Sequence, residues 1–201
     1  ELTTADLSNA TFPFRTARNI DIGIARALCV RIIYVGELGY ELYVSCEQAV
    51  QVYDQLLKAG KKHGLRHAGL RALGSLRMEK AYRGWGAELT NEVTMLEADM
   101  ARFFGSAKED FVGKTATETG EAGPLRLVYF EVDAEDADVR GGEPIFLNDT
   151  CIGVTTSGGY GYAVEKSLGF GYVPPEQSAP GSIIDIGLLD ARCQATVLAE
   201  P

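Results

Sequence analysis

Hydrophobic and polar positions follow two different patterns along the chain. In residues 20–35 the sequence IDIGIARALCVRIIYV is apolar and rich in β-branched residues, and after Gly-Glu-Leu-Gly the segment YELYV continues in the same style. Two apolar runs separated by a short segment with glycine are typical of paired strands. The pattern therefore predicts a β-hairpin.

A helix is predicted directly after this hairpin. Ser45 and Gln48 have the spacing of a capping box, in which the serine accepts a hydrogen bond from the third helical N–H and the glutamine reaches back. The apolar residues that follow at helical spacing are Ala49, Val50, Val52, Tyr53, Leu56 and Leu57. Lysines near the predicted end suit the negative pole of the helix, and Gly60 or Gly64 can stop it.

The next segment predicts a short strand at residues 65–72 and a second helix at about residues 74–83. We interpret its large apolar residues as core, namely Leu73, Leu76, Met78, Tyr82 and Trp85. Residues 1–106 are therefore interpreted as one α+β domain.

Beyond residue 123 the pattern changes to short strands alone. The segments RLVYFEV, EPIFLN, CIGVTTS, SLGFGYV, SIIDIGLL and ARCQATVLA are separated by Gly, Pro and Asp at regular spacing. Such spacing predicts a small antiparallel β-barrel over residues 124–201. Residues 107–123 are rich in Gly, Thr, Glu and Lys, which indicates a linker. The predicted fold class is an α+β segment followed by a C-terminal antiparallel β-barrel.

Composition and charge restrict the partners. The chain has 201 residues, 46% of them hydrophobic, and a net charge of −9 from 19 basic and 28 acidic residues. The average field therefore repels phosphate backbones and anionic membranes, and we expect neither nucleic acid nor a membrane as a partner. No apolar run approaches the roughly 20 residues that span a bilayer, and no secretory signal is visible. The missing initial Met leads us to expect a longer parent protein.

Candidate chemistry is sparse. The four cysteines lie far apart, and His63 and His67 are interpreted as surface histidines, so we expect no metal ligands and no disulfide framework. Neither a nucleophilic triad nor a Gly-x-Ser-x-Gly elbow is recognisable, and we predict no catalytic residue. The glycine-rich segments 158–161 and 169–171 do not open a helix after a strand, so we interpret them as hairpin turns.

Two carboxylates interrupt the apolar segment YVGELGYELYV, at Glu37 and Glu41. On a strand, Glu41 shares its face with Tyr43 and points away from Tyr40, Leu42 and Val44. Simple solvent exposure is one interpretation. The other is a carboxylate that grips a flat ligand with two adjacent N–H donors, with Tyr34 and Tyr43 stacked on its ring.

Five motifs, in order along nearly the whole chain, then carry a resemblance. They are GELGYE, GLRALGSLRMEKAYRGWGAELT, LEADMARF, DFVGK and GVTTSGGYGYAVEKSLGFGYVP. The sequence resembles the folate-binding C-terminal region of dimethylglycine and sarcosine dehydrogenases. That region is itself similar to the aminomethyltransferase, or T-protein, of the glycine cleavage system.

The resemblance implies a tetrahydrofolate site in which Glu41 holds the pterin edge. Tyr34, Leu42 and Tyr43 would form a wall of that site. Arg102 stands where the family usually offers an aromatic ring, so either its guanidinium stacks on the folate or Phe103 substitutes. Other departures are Leu73 in place of an Arg, and Met95 and Asp99 in place of Pro and Gly.

The resemblance also implies what lies outside these residues. The family's aspartate for one-carbon transfer and much of the first folate-binding half would precede this chain, and FAD would bind in a domain further upstream. There a methylated amine would be oxidised, and tetrahydrofolate would take the one-carbon unit as 5,10-methylene-tetrahydrofolate. The 201 residues alone are expected to be inactive, in a bacterial cytoplasm or a mitochondrial matrix. The alternatives are a free-standing aminomethyltransferase and a non-catalytic folate-binding or scaffold module.

Overall fold

The computed structural model describes residues 2–105, 107–119 and 123–199 and shows two compact units. One unit is Glu1–Leu73 and the other is Gly74–Pro201. The division falls earlier than the predicted domain end at residue 106, because Met78 and Ala81 pack with strand residues of the second unit. The predicted sequence domains and the linker at 107–123 remain predictions.

The first unit contains a three-stranded antiparallel sheet in the order β1 (Ala17–Ile22), β2 (Ala25–Val30) and β3 (Glu41–Tyr43). The apolar run at residues 20–35 was predicted as one strand of the hairpin. This prediction was wrong, because the chain reverses at Gly23, where a φ of 60° favours glycine. The predicted pairing of the two apolar runs is confirmed between β2 and β3, but residues 31–40 connect them.

The predicted helix is confirmed as α1 (Cys46–Gly60), but its predicted capping box is not formed. Instead of accepting a backbone hydrogen bond, the Ser45 hydroxyl donates to the Gln48 side-chain oxygen at 3.4 Å. A reciprocal pair of hydrogen bonds with the same spacing forms instead at Thr94 and Glu97, where a turn begins. The Thr94 N–H donates to Glu97 Oε2 at 2.8 Å, and the Glu97 N–H donates to Thr94 Oγ1 at 3.2 Å.

The predicted strand at residues 65–72 was wrong, since the helix α2 (Leu70–Met78) begins there. Of the residues expected in the core, Met78 is fully buried and Leu73 is half-buried, whereas the others are exposed, namely Leu76, Tyr82 and Trp85. Because α2 ends at Met78, the helical spacing that would place Tyr82 on the buried side is not continued.

The predicted barrel is confirmed as a closed sheet of six strands in the order β4-β7-β6-β5-β8-β9. In chain order they are β4 (Arg126–Val132), β5 (Pro144–Leu147), β6 (Thr150–Gly161), β7 (Lys166–Val173), β8 (Ile183–Leu188) and β9 (Ala191–Leu198). The short helix α3 (Lys114–Thr119) lies within the predicted linker and buries none of its residues. None of the described helices has both the length and the apolar composition needed to cross a membrane.

Both faces of β4 are buried. Val128, Phe130 and Val132 belong to one hydrophobic cluster with residues of β5, β8 and β9. Leu127 and Tyr129 point the other way and pack with Met78 and Ala81. The alternation of side chains along a strand therefore lets β4 join the two clusters of the second unit.

The glycine-rich segments 158–161 and 169–171 are not hairpin turns, which corrects the sequence interpretation. They lie inside β6 and β7, and a side chain at Gly169 or Gly171 would collide with residues of other strands. A Cβ at Gly169 would lie 2.7 Å from the Phe130 ring, and one at Gly171 would lie 2.5 Å from Ile145 Cδ1. These glycines therefore make room for large neighbours.

A buried ion pair fastens the segment after α2 to the barrel. Glu88 is fully buried, and its carboxylate accepts hydrogen bonds from Arg77 Nη1 at 3.2 Å, the Gly84 N–H at 2.6 Å and the Thr156 hydroxyl at 2.7 Å. Ser157 also donates to this carboxylate and accepts from Arg77 Nη2 at 2.7 Å. A buried charge is tolerated when its hydrogen bonds are satisfied in this way.

Candidate functional site

The Glu41 carboxylate lies on the exposed side of β3 and is already engaged by a neighbour. Glu41 and Tyr43 are separated by one residue, so both side chains leave the same face of the strand. The Tyr43 phenol O–H donates to Glu41 Oε2 at 2.6 Å. Within the described part of the chain, Glu41 accepts no second hydrogen bond. The rest of its acceptor capacity is therefore available to a ligand.

The contact changes the acidity of the phenol. The hydrogen bond to Glu41, and then the negative charge of that carboxylate, raise the pKa of Tyr43 above its ordinary value. The phenol is therefore protonated and a hydrogen-bond donor at neutral pH.

Strand pairing places apolar residues beside the carboxylate. Val30 lies opposite Glu41 and Leu28 lies opposite Tyr43, and directly paired residues share a face of the sheet. Leu28 is 41% exposed although it is a large apolar residue. We call this surface the open face, and its members are Ala17, Asn19, Leu28, Val30, Glu41 and Tyr43.

Sequence reasoning missed Leu28 and Val30. The signal was present in the segment ARALCV, where small residues alternate with larger ones. The small ones, Ala25, Ala27 and Cys29, are the buried set. The alternation assigns Leu28 and Val30 to one face, but only the register shows that Glu41 lies beside them.

Leu42, predicted as part of the ligand wall, points to the opposite side. It pairs with the buried Cys29 and packs against the hydrophobic cluster of the first unit, together with Tyr40 and Val44. Its side chain therefore does not share the face of Glu41, and a ligand contact through the Leu42 backbone stays a prediction.

Tyr34 lies half-buried in the segment that connects β2 and β3. Local conformation and packing explain why glycine stands at both glycine positions of the GELGYE motif. Gly36 has a φ of 73°, and a Cβ at Gly39 would lie 2.1 Å from Ile33 Cδ1. Glu37 is exposed between them. The contact of Tyr34 with a ligand stays a prediction.

Arg102 belongs to the second unit, so its part in the site of Glu41 also stays a prediction. It lies in the short 3-10 turn Ala101–Phe103, is exposed, and has its guanidinium 5.1 Å from the centroid of the Phe103 ring. The guanidinium and the ring, the two groups proposed for this contact, therefore lie together.

Asp99 stands where the resemblance implies a Gly, and its backbone conformation is one that glycine adopts easily. It has a φ of 53°, in the left-handed region where glycine is favoured and Asp is tolerated. Its carboxylate accepts a hydrogen bond from Arg83 Nη2 at 2.9 Å. The side chain therefore forms an ion pair that a glycine could not form.

The two histidines, His63 and His67, are exposed, as expected. His67 Nε2 lies 2.8 Å from the Tyr53 hydroxyl, and the two rings are stacked. Among the residues that the structure describes, no group of three or more His, Cys, Asp or Glu side chains is arranged to hold a metal ion.

Comparison with known proteins matches both parts of the chain. The GCVT N-terminal domain family matches residues 1–108, and the glycine cleavage T-protein C-terminal barrel domain matches residues 126–201. Human mitochondrial dimethylglycine dehydrogenase is 38% identical over 204 residues, which cover 100% of this chain and 24% of that protein. Human mitochondrial sarcosine dehydrogenase is 36% identical over 187 residues, covering 91% of this chain and 20% of that protein.

A solved structure shows the same fold. The glycine cleavage system aminomethyltransferase T from Bartonella henselae matches with a TM-score of 0.78 and 25% identity, over 87% of this chain and 49% of that one. This chain therefore spans about a quarter of the human dimethylglycine dehydrogenase and about half of the solved aminomethyltransferase. The resemblance seen in the motifs is confirmed, and the chain belongs to the glycine cleavage T-protein family.

Proposed function

We propose that this chain is the folate-binding portion of a tetrahydrofolate-dependent one-carbon transfer enzyme. The observation that carries the proposal is the Glu41 carboxylate, which lies exposed beside an apolar strip on the open face. A flat heterocycle needs both features, an apolar surface for its ring and a polar group at its edge.

The residues fit a pterin ring. A carboxylate with two oxygens matches two adjacent N–H donors by paired, charge-assisted hydrogen bonds, and these are stronger than neutral ones. Leu28 and Val30 supply the apolar surface next to it. When bound, tetrahydrofolate supplies the nitrogen atoms that accept a one-carbon unit, while the residues of this chain bind and orient it.

For the whole protein we infer the dimethylglycine or sarcosine dehydrogenase type. In this proposal a methylated amine is oxidised at FAD in a domain upstream of these residues, and the one-carbon unit passes to the folate bound here. Support comes from the two human dehydrogenases. Each aligns with nearly the whole of this chain, and the aligned part is only about a fifth to a quarter of the dehydrogenase. Their mitochondrial names favour a mitochondrial matrix if the source is eukaryotic, and a bacterial protein would be cytoplasmic.

A free-standing aminomethyltransferase is the second candidate. The observation that favours it is the Bartonella henselae structure, of which this chain covers 49%. Reaction of the natural-length protein with dimethylglycine or sarcosine in the presence of an artificial electron acceptor separates the two candidates. Oxidation of either amine supports the dehydrogenase, and its absence supports the transferase.

Replacing Glu41 tests the site directly. Glu41→Gln keeps the size of the side chain but removes the charge and turns one acceptor into a donor. We expect a loss of about 2 to 3 kcal/mol in tetrahydrofolate binding, measured by calorimetry on the protein in its natural length.

Glu37→Gln is the matched control, because it removes the same charge from the same motif at an exposed position off the strand. We expect its affinity to equal that of the wild type. Equal affinity of Glu41→Gln and the wild type would overturn the proposed role of Glu41.

A further inference from the structure

Glu41 has few restraints of its own. Its side chain is exposed on a three-residue strand, and the one hydrogen bond that the described residues donate to its carboxylate comes from Tyr43. A glutamate without such a contact populates several rotamers, and ordering it on ligand binding costs free energy. A group that orders it beforehand strengthens binding without touching the ligand.

We propose that Tyr43 is a positioning residue, whose phenol O–H holds the Glu41 carboxylate in the orientation that meets the N–H donors of the ligand. This inference rests on the proposed folate-binding function. It gives Tyr43 a role different from ring stacking, because the hydroxyl acts through Glu41 and not through the phenyl ring.

The acceptor geometry leaves room for both contacts. A carboxylate offers about four lone-pair positions, and the phenol uses one of them, on Oε2. Oε1 and the second lone pair of Oε2 remain for a pair of ligand donors. Leu28, paired across the strands with Tyr43, lies beside it on the same face.

The charge state supports the role. The phenol donates only while it is protonated, and Glu41 itself raises the pKa of Tyr43. The Glu41 carboxylate thus keeps the phenol protonated, as a donor, over the neutral range.

Tyr43→Phe separates the hydroxyl from the ring. The substitution keeps the aromatic surface, so any stacking contact is retained. We expect tetrahydrofolate to bind roughly fivefold to tenfold more weakly, as for the loss of one ordinary hydrogen bond at an exposed site. Tyr53→Phe is the matched control. It removes a tyrosine hydroxyl on α1 that contacts only His67 among the described residues, so its affinity should be unchanged.

A double-mutant cycle tests whether Tyr43 acts through Glu41. If it does, Tyr43→Phe has no further effect on tetrahydrofolate affinity in a Glu41→Gln background. A loss of the same size in both backgrounds would show that the hydroxyl contacts the ligand directly and would overturn the inference.

The contact itself is measured without folate. In protein labelled at tyrosine Cζ, the NMR signal that Tyr43→Phe removes should titrate above the ordinary tyrosine range, and its pKa should fall in Glu41→Gln. An unshifted signal in the wild type would overturn the inference.

The outcomes separate the two proposals. Failure of the natural-length protein to bind tetrahydrofolate would overturn the proposed function and the inference with it. Loss of binding in Glu41→Gln with full binding in Tyr43→Phe would support the function and overturn the inference alone.

Discussion

At the scale of single residues, a positive φ marks positions where most side chains are strained. Among the residues that the structure describes, those other than glycine with a positive φ are Arg15, Ala81, Asp99, Asn148, Glu165 and Leu189. Asn and Asp tolerate this region because their short polar side chains can hydrogen-bond locally. Leu189 has no such compensation, and its side chain is 88% exposed at the turn between β8 and β9.

We therefore predict that Leu189→Gly stabilises the second unit. Glycine relieves roughly 1 to 2 kcal/mol of left-handed strain and loses part of this gain to its freedom in the unfolded chain, so the net gain should be about 0.5 to 1 kcal/mol. Denaturant unfolding followed by circular dichroism measures it. Asn148→Gly is the control, since its φ of 54° is already tolerated, and it should change stability little. A lower denaturant midpoint for Leu189→Gly than for the wild type would contradict the proposed backbone strain at Leu189.

At the scale of elements, the contacts between strands and helices determine which predictions from the pattern hold. Short β-rich segments separated by Gly, Pro and Asp predicted the barrel strands well, because such residues end strands locally. The glycines in β6 and β7 were misread, because a glycine that makes room for a neighbour looks in sequence like a glycine in a turn. What distinguishes the two is the position of Phe130 and Ile145, which approach from other strands.

Gly169→Ala tests this packing. The added Cβ would lie 2.7 Å from the Phe130 ring, which is fully buried, and overpacking of this kind costs about 1 to 3 kcal/mol. We expect a correspondingly lower free energy of unfolding in a denaturant titration.

Gly159→Ala is its control on the neighbouring strand. No atom lies within 4 Å of a Cβ at that position, so we expect stability to be unchanged or slightly raised. Equal stability of Gly169→Ala and the wild type would mean that the barrel core has room that the structure does not show.

At the scale of the whole molecule, two descriptions of the chain compete. Packing divides it at residues 73 and 74, whereas the family matches end at residue 108 and resume at residue 126. The gap between the matches, residues 109–125, overlaps the predicted linker at residues 109–123. The helix in that linker, α3, buries none of its residues, so it offers little protection to the backbone.

We predict that brief proteolysis cuts first within residues 107–123. Exposed small and polar residues favour cleavage, and a β-rich C-terminal piece of about 9 kDa should remain if the barrel folds by itself. Mass spectrometry of the first products identifies the site. First cuts within residues 61–72, which are all exposed, would favour the division at residue 73 and contradict the predicted linker.

By itself, the sequence determined the features that depend on local order. The helical spacing after Ser45 predicted α1, the short β-rich segments between Gly, Pro and Asp predicted the barrel strands, and the motifs around GELGYE led to the family. The placement of Glu41 and Tyr43 on one face followed from the period of two along a strand.

Tertiary structure decided the features that depend on distant residues. The register of β2 and β3 placed Leu28 and Val30 beside Tyr43 and Glu41. Residues far apart in the chain set these contacts, and local periodicity carries no information about which of them will meet.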